Sequence, residues 1–233
     1  MHKVNYGSKN IFFEVKRSNR KTLSIEVHPD SSVHIIAPEQ STAADIEKKV
    51  VKRANWILKQ QLYFEQFLPR TPEREYLSGE THFYLGKSYL LKVSVGELDE
   101  VKLKAGELRV VCKEFYTSEK VKKQLAHWYY KHAEKKFKKL AEEAYSQFKE
   151  YNFKEPRLEI RRMPKRWGSC NTIDRITINP ELIKAPSKCI EYVLIHEMCH
   201  FVIKNHNRAF YKTLTSIMPN WKKWKDILEH KLV

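Results

Sequence analysis

The chain has 233 residues, 44 of them Lys or Arg against 28 Asp or Glu, for a formal charge of +16. With 31% charged and 42% apolar residues it reads as globular, neither disordered nor embedded in a membrane. Its six glycines leave little room for Gly-rich phosphate loops, and neither GxGxxG nor a Walker-type GxxxxGK is present. The basic excess suggests a polyanion or nucleic-acid partner, although net charge speaks to association and solubility rather than to mechanism.

The first residues, MHKVNYGSKNIFFEVKRSNRK, lack the apolar stretch of a signal peptide, and no long uncharged apolar span follows. A cytoplasmic protein without a membrane segment is the expectation. Cys112, Cys170, Cys189 and Cys199 form no CxxC pair and read as reduced thiols.

Three strands are predicted first, IFFEV at 11–15, TLSIEV at 22–27 and VHIIA at 33–37, with a turn over His28-Pro29-Asp30-Ser31-Ser32 between the last two. Ser41 or Thr42 then opens a helix, with Asp45 at capping-box spacing from Thr42. Ile46, Val50, Ala54, Ile57 and Leu58 recur at helical intervals up to Pro69. The segment THFYLGKSYLLKV reads as a hairpin with Gly86-Lys87 in its turn, and LRVVC at 108–112 as a further strand.

From Thr117 to about Glu150 a long amphipathic helix follows, its KKFKK stretch a solvated face and His127 and His132 surface or packing residues. RLEIRR at 157–162 and RITIN at 175–179 are short strands, joined by the loop MPKRWGSCNTID. Helices then begin at Pro186-Ser187 and near Asn207, and the last segment places Trp221, Trp224, Leu228 and Leu232 on one packing face. The sequence shows no internal repeat. The expected organisation is α+β, with a β-rich N-terminal region containing one helix over 1–116 and a mainly helical domain over 117–233.

The chemistry concentrates in SKCIEYVLIHEMCHFVIKNHNRAFY. His196-Glu197-Met198-Cys199-His200 is an HExxH motif, and helical residues four apart stack on one face, so both imidazoles can reach one metal ion. Glu197 then stands as the base that activates water. The surrounding helix is apolar on nearly every side, so these polar groups need a compensating partner. His206 follows ten residues after His196 and supplies a third ligand, provided the chain turns near Lys204-Asn205, where Asn tolerates a left-handed conformation. Asn207 is placed to cap the next helix. Three imidazoles suit one zinc ion per chain better than a hard cation and leave a position for water. Tyr211, Arg162 and Arg166 are candidates for stabilising the oxyanion or binding substrate.

The order RRMPKRWGSC, N-P-x-L-x-x-A-P, HEMCH and N-H-x-x-x-F resembles the YgjP-like metallopeptidases, which are related to the SprT-like minimal zinc proteases. The resemblance is strongest over about 157–219. It implies a zincin-like catalytic domain with a short sheet and an HExxH helix, zinc held by His196, His200 and His206, and Glu197 as catalytic base. A peptide or unfolded protein is then the expected substrate.

Trp167 is expected to pack against the metal helix, with a bearing on substrate, and Gly168-Ser169 to form a turn. The strand at 157–162 reads either as an edge strand for an extended peptide or as part of the core sheet. A nucleotide phosphohydrolase on the same site is the alternative, because Arg157, Arg161, Arg162, Lys165 and Arg166 cluster ahead of WGSC. A nucleic-acid-binding protein with a structural metal is the third reading.

Overall fold

The structure, a computed structural model, describes residues 1–28, 30–65, 74–164, 166–171 and 173–231. Pro29, Pro69, Lys165 and Leu232, to which the sequence assigns roles in a turn, a helix end, a cation cluster and a packing face, lie outside the described residues. The chain is mixed α and β and divides into two compact units, Met1–Thr71 and Pro72–Val233.

In the first unit, β1 (His2–Tyr6), β2 (Lys9–Ser18), β3 (Ser24–Val27) and β4 (Val33–Pro38) form one sheet in the order β1-β2-β4-β3. β2 and β4 run parallel, and the outer pairs are antiparallel. Alternate residues of β4, Val33, Ile35 and Ala37, are buried. They pack with Ile46, Val50, Ala54 and Ile57 of α1 (Ala43–Glu65) in one apolar cluster. The capping box at the start of α1 forms as the spacing requires. Asp45 N–H donates to Thr42 Oγ1 at 3.2 Å, and Asp45 Oδ2 accepts from Thr42 N–H at 3.3 Å.

The second unit opens with the same device. β5 (Thr81–Tyr84), β6 (Lys87–Gly96), β7 (Glu100–Lys104) and β8 (Glu107–Lys113) lie in the order β5-β6-β8-β7, with β6 and β8 parallel and the outer pairs antiparallel. Helix α2 (Ser118–Tyr145) follows, capped by Thr117 as α1 is by Thr42. The sequence shows no repeat because only the apolar pattern recurs: Val33, Ile35 and Ala37 correspond to Leu108, Val110 and Cys112, all buried.

The hairpin turn is Leu85-Gly86, one residue earlier than expected, since Tyr84 pairs with Lys87. Both turn residues have positive φ, 49° and 79°, as in a type I′ turn. A Cβ on Gly86 would fall 2.7 Å from Pro186 Cγ, and Leu85 and Gly86 donate to the carbonyls of Ile183 and Lys184. The turn is therefore pinned to the 3-10 segment Pro180–Lys184. Here the sheet, α2 and the later helices share one core, through Leu108, Val110, Phe137, Ile178 and Leu194. The compositional change at 116/117 falls inside this unit.

α2 ends at Tyr145 in a 3-10 turn, Ser146–Phe148, short of the expected Glu150. A three-stranded sheet in the order β10-β11-β9 follows, from β9 (Arg157–Ile160), β10 (Gly168–Cys170) and β11 (Arg175–Ile178). Gly168-Ser169 is thus strand, not turn. β9 is an edge strand, parallel to β11. Helices α3 (Ser187–Val202), α4 (Arg208–Ile217) and α5 (Trp221–Lys231) complete the unit.

Candidate metal centre

α3 is lined by buried Ile190, Val193, Leu194, Ile195 and Met198, so it runs through the core, and it carries His196, Glu197 and His200 within five residues of its C-terminal half. His196 and His200 lie one turn apart, their ring centroids separated by 5.2 Å. The helix stops at Val202, and Ile203 turns extended at φ −138° while its N–H still reaches Cys199 O. Asn205 does not take the left-handed conformation expected of it; the turn is made without one. Asn207 Oδ1 then accepts from Phe210 N–H at 3.0 Å and caps α4.

This path returns His206 to the face it could not share on an unbroken helix. Its Nε2 lies 2.9 Å from His196 Nε2, and the three histidines each offer a nitrogen within 4.8 Å of the others. Buried Phe210 forms a common floor, its ring centroid 4.7–5.0 Å from all three imidazoles.

The donor set fits a transition-metal ion. His200 Nδ1 lies 3.3 Å from the carbonyl of Ile203, the kind of backbone contact that fixes a ring and leaves its other nitrogen free. Burial, reinforced by the neighbouring imidazoles of His200 and His206, pushes the His196 pKa down to about 3. His206 is lowered too, by burial and then His200. Both rings are therefore neutral near pH 7, the form that ligates.

Glu197 is 8% exposed and held from three sides. Burial pushes its pKa up to about 7, opposed by the charge of Arg166 and by hydrogen bonds from the Cys170 thiol and backbone N–H. Gly168 and Cys170, two apart on β10, face the same side of the strand. A Cβ on Gly168 would meet Glu197 Oε1 at 2.9 Å and Val193 Cγ1 at 2.8 Å.

Asn179, buried and quoted in the sequence only as part of N-P-x-L, organises the wall beside Glu197. Its Nδ2 donates to the carbonyls of Met163 and Arg166, its N–H to Trp167 O, and its Oδ1 accepts from Glu181 N–H. A cleft of about 250 Å3 results, lined by Arg166, Trp167, Tyr192, His196, Glu197 and Leu228 among others.

The other expected residues are distributed differently. Tyr211 stands beside His206 at 6.3 Å between ring centroids and stacks on Trp221 at 5.5 Å, with 41% of its surface exposed. Arg162 is exposed and is not among the residues lining the cleft. The cation cluster is also dispersed: Arg157 pairs with Asp174 and Arg161 with Glu159, leaving Arg166 at the cleft.

The profile of the YgjP-like metallopeptidase domain matches residues 21–231, nearly the whole chain. The chain belongs to the YgjP-like metallopeptidase family. Among solved structures, a metallopeptidase zymogen, abylysin of Pyrococcus abyssi, shares 22% identity over 41% of this chain and 94% of its own, with a TM-score of 0.38. No curated protein matches this metallopeptidase. Among its described residues, no helix is long and apolar enough to cross a membrane.

Proposed function

We propose that the chain is a zinc-dependent peptidase with a zincin-like catalytic domain, acting on peptides or unfolded protein. His196, His200 and His206 hold one ion per chain, and Glu197 is the general base. The observation that carries this is the convergence of three imidazoles beside a buried carboxylate whose pKa lies near 7. A bound zinc supplies Lewis acidity, acidifying water and polarising a carbonyl.

The chain's own residues supply the remainder. Glu197 takes a proton from the attacking water and delivers it to the departing amine, and its pKa near neutrality suits both transfers. Gly168 and Cys170 hold the carboxylate in place, while Trp167, Tyr192 and Leu228 offer an apolar wall to a substrate side chain. Arg166 places a positive charge at the cleft, and Tyr211, its ring beside His206, offers a hydroxyl donor for a developing oxyanion. A reducing, cytoplasmic setting agrees with four cysteines that form no disulfide.

The test is Glu197→Gln. The variant should keep stoichiometric metal and lose turnover of a denatured protein, whereas His200→Ala should lose the metal itself. A purified protein without stoichiometric metal, or a Glu197→Gln variant of unchanged activity, defeats the reading.

A further inference from the structure

The repeated ββββα arrangement leaves a groove at the same place in each repeat. In the first unit it measures about 430 Å3 and lies between Leu23 and Ile25 on one side and Lys49, Arg53 and Trp56 of α1 on the other. In the second it measures about 810 Å3, with Val101 and Leu103 of β7 facing Gln124, Trp128 and Lys131 of α2. The correspondence holds at the centre of the edge strand and along the helix. Ile25 pairs with Ile35 and Val101 with Val110, the same positions of the two sheets. The three α1 residues and their α2 counterparts stand seven, eleven and fourteen residues after the capping threonine.

Each groove is bordered by an edge strand, since β3 and β7 have a single neighbour in their sheets. Among the described residues, Ser24, Ile25, Val27 and 100–104 make no backbone–backbone hydrogen bond outside the ladder. An edge strand beside an overhanging helix accepts an extended chain: the strand edge supplies backbone hydrogen bonds, and the groove takes alternate side chains.

The charge of the grooves selects among such chains. Lys49, Arg53 and Lys131 have no ion pair among the described residues. The two acids of the larger groove are already satisfied, Asp99 by Lys120 at 3.0 Å and Glu100 by Lys102 at 2.6 Å. Trp56 is 41% exposed and adds an aromatic face to the smaller groove. Cations and indoles also suit single-stranded nucleic acid, but an edge strand and an aliphatic floor favour polypeptide.

We propose that the two grooves are strand-addition sites for extended, acidic segments of polypeptide. This names the class of chain that the peptidase handles; the cleavage of a bound chain rests on the peptidase reading, whereas the binding itself does not.

The test uses the full-length Glu197→Gln protein, which cannot consume its ligand, and a short unstructured peptide alternating Val and Glu. Calorimetry should find two sites. Arg53→Glu should weaken one and Lys131→Glu the other, each by about tenfold or more, with thermal melting unchanged because both side chains are exposed. Trp56→Ala should weaken the first site without altering charge. The same peptide with prolines at alternate positions cannot join a strand ladder and should not bind.

Equal binding of the proline peptide, indifference to both charge reversals, or tighter binding of oligothymidylate that displaces the peptide would overturn the proposal. Failure of the peptidase reading shows separately, as absent metal or an active Glu197→Gln protein, while the peptide would still bind.

Discussion

Gly168 leaves the space that Glu197 occupies: a Cβ there would fall 2.9 Å from Oε1 of the carboxylate and 2.9 Å from its Cγ. Both Cβ contacts are too short to survive, so Gly168→Ala must push Glu197 out of place. We expect retained metal and fold with kcat lowered by roughly a hundredfold, the cost of misplacing a reacting group by about an ångström. Cys170→Ala removes one donor to the same carboxylate and leaves the backbone N–H, so a loss of only about threefold to tenfold in kcat is expected, at unchanged KM. Cys170→Ser, which keeps a donor, should recover most of it. Metal analysis beside steady-state kinetics checks all three.

Asn179 ties the 163–167 segment to the sheet through side-chain bonds to two carbonyls and a backbone bond to a third. Asn179→Ala strands the carbonyls of Met163 and Arg166 and should cost about 2–3 kcal/mol in urea unfolding. Because Arg166 and Trp167 form a wall of the cleft, KM for a peptide substrate should rise more than kcat falls.

Metal should stabilise the native fold. Three imidazoles converge on Phe210 only when α3, the 203–207 turn and α4 are all in place, so an ion that binds there binds the folded state. At a free zinc concentration a hundred times its Kd, the gain is about 2.7 kcal/mol. Chelation should lower Tm accordingly, and His206→Ala should remove the difference between chelated and metal-loaded protein.

Acid stability is set in part by His82, only 2% exposed on β5. Burial, and then the charge of Arg74, lowers its pKa to about 4, against 6.5 in the unfolded chain. The unfolded state therefore takes up the proton first as pH falls. Stability is lost between about pH 6.5 and 4, by up to roughly 3 kcal/mol. His82→Gln, which cannot titrate, should flatten this limb in urea unfolding measured from pH 7 to pH 4. An unchanged slope would show that other groups carry it.

Elements with one buried face were legible because burial writes a period into the residues. β4 alternates Val33, Ile35 and Ala37, and α1 repeats Ile46, Val50, Ala54 and Ile57. β1 and β7 escaped because they are five-residue edge strands with few buried side chains, so their alternation, such as Val101 and Leu103 among charged neighbours, is too short to stand out. The hairpin turn was misplaced by one residue because Leu85 takes a positive φ that its side chain disfavours, held there by bonds to a segment about a hundred residues further along the chain. Arg162 and its neighbouring cations looked like one cluster in sequence, but strand geometry spreads them, and Asp174 and Glu159 engage two of them.

The same division governs the site. His196 and His200 meet because a helix brings residues four apart onto one face, and HExxH states that spacing in five letters. His206 was legible as a distance along the chain, with its turn left to be made. What the sequence determined alone is therefore local: element periodicity, helix caps and the pairing of two imidazoles. Only the tertiary structure decided that β10 lies against α3, so that Gly168 and Cys170 hold Glu197, and that two stretches with no evident sequence likeness share one strand order. Such contacts join residues far apart in the chain, and packing selects for shape and volume there rather than for a repeated spelling.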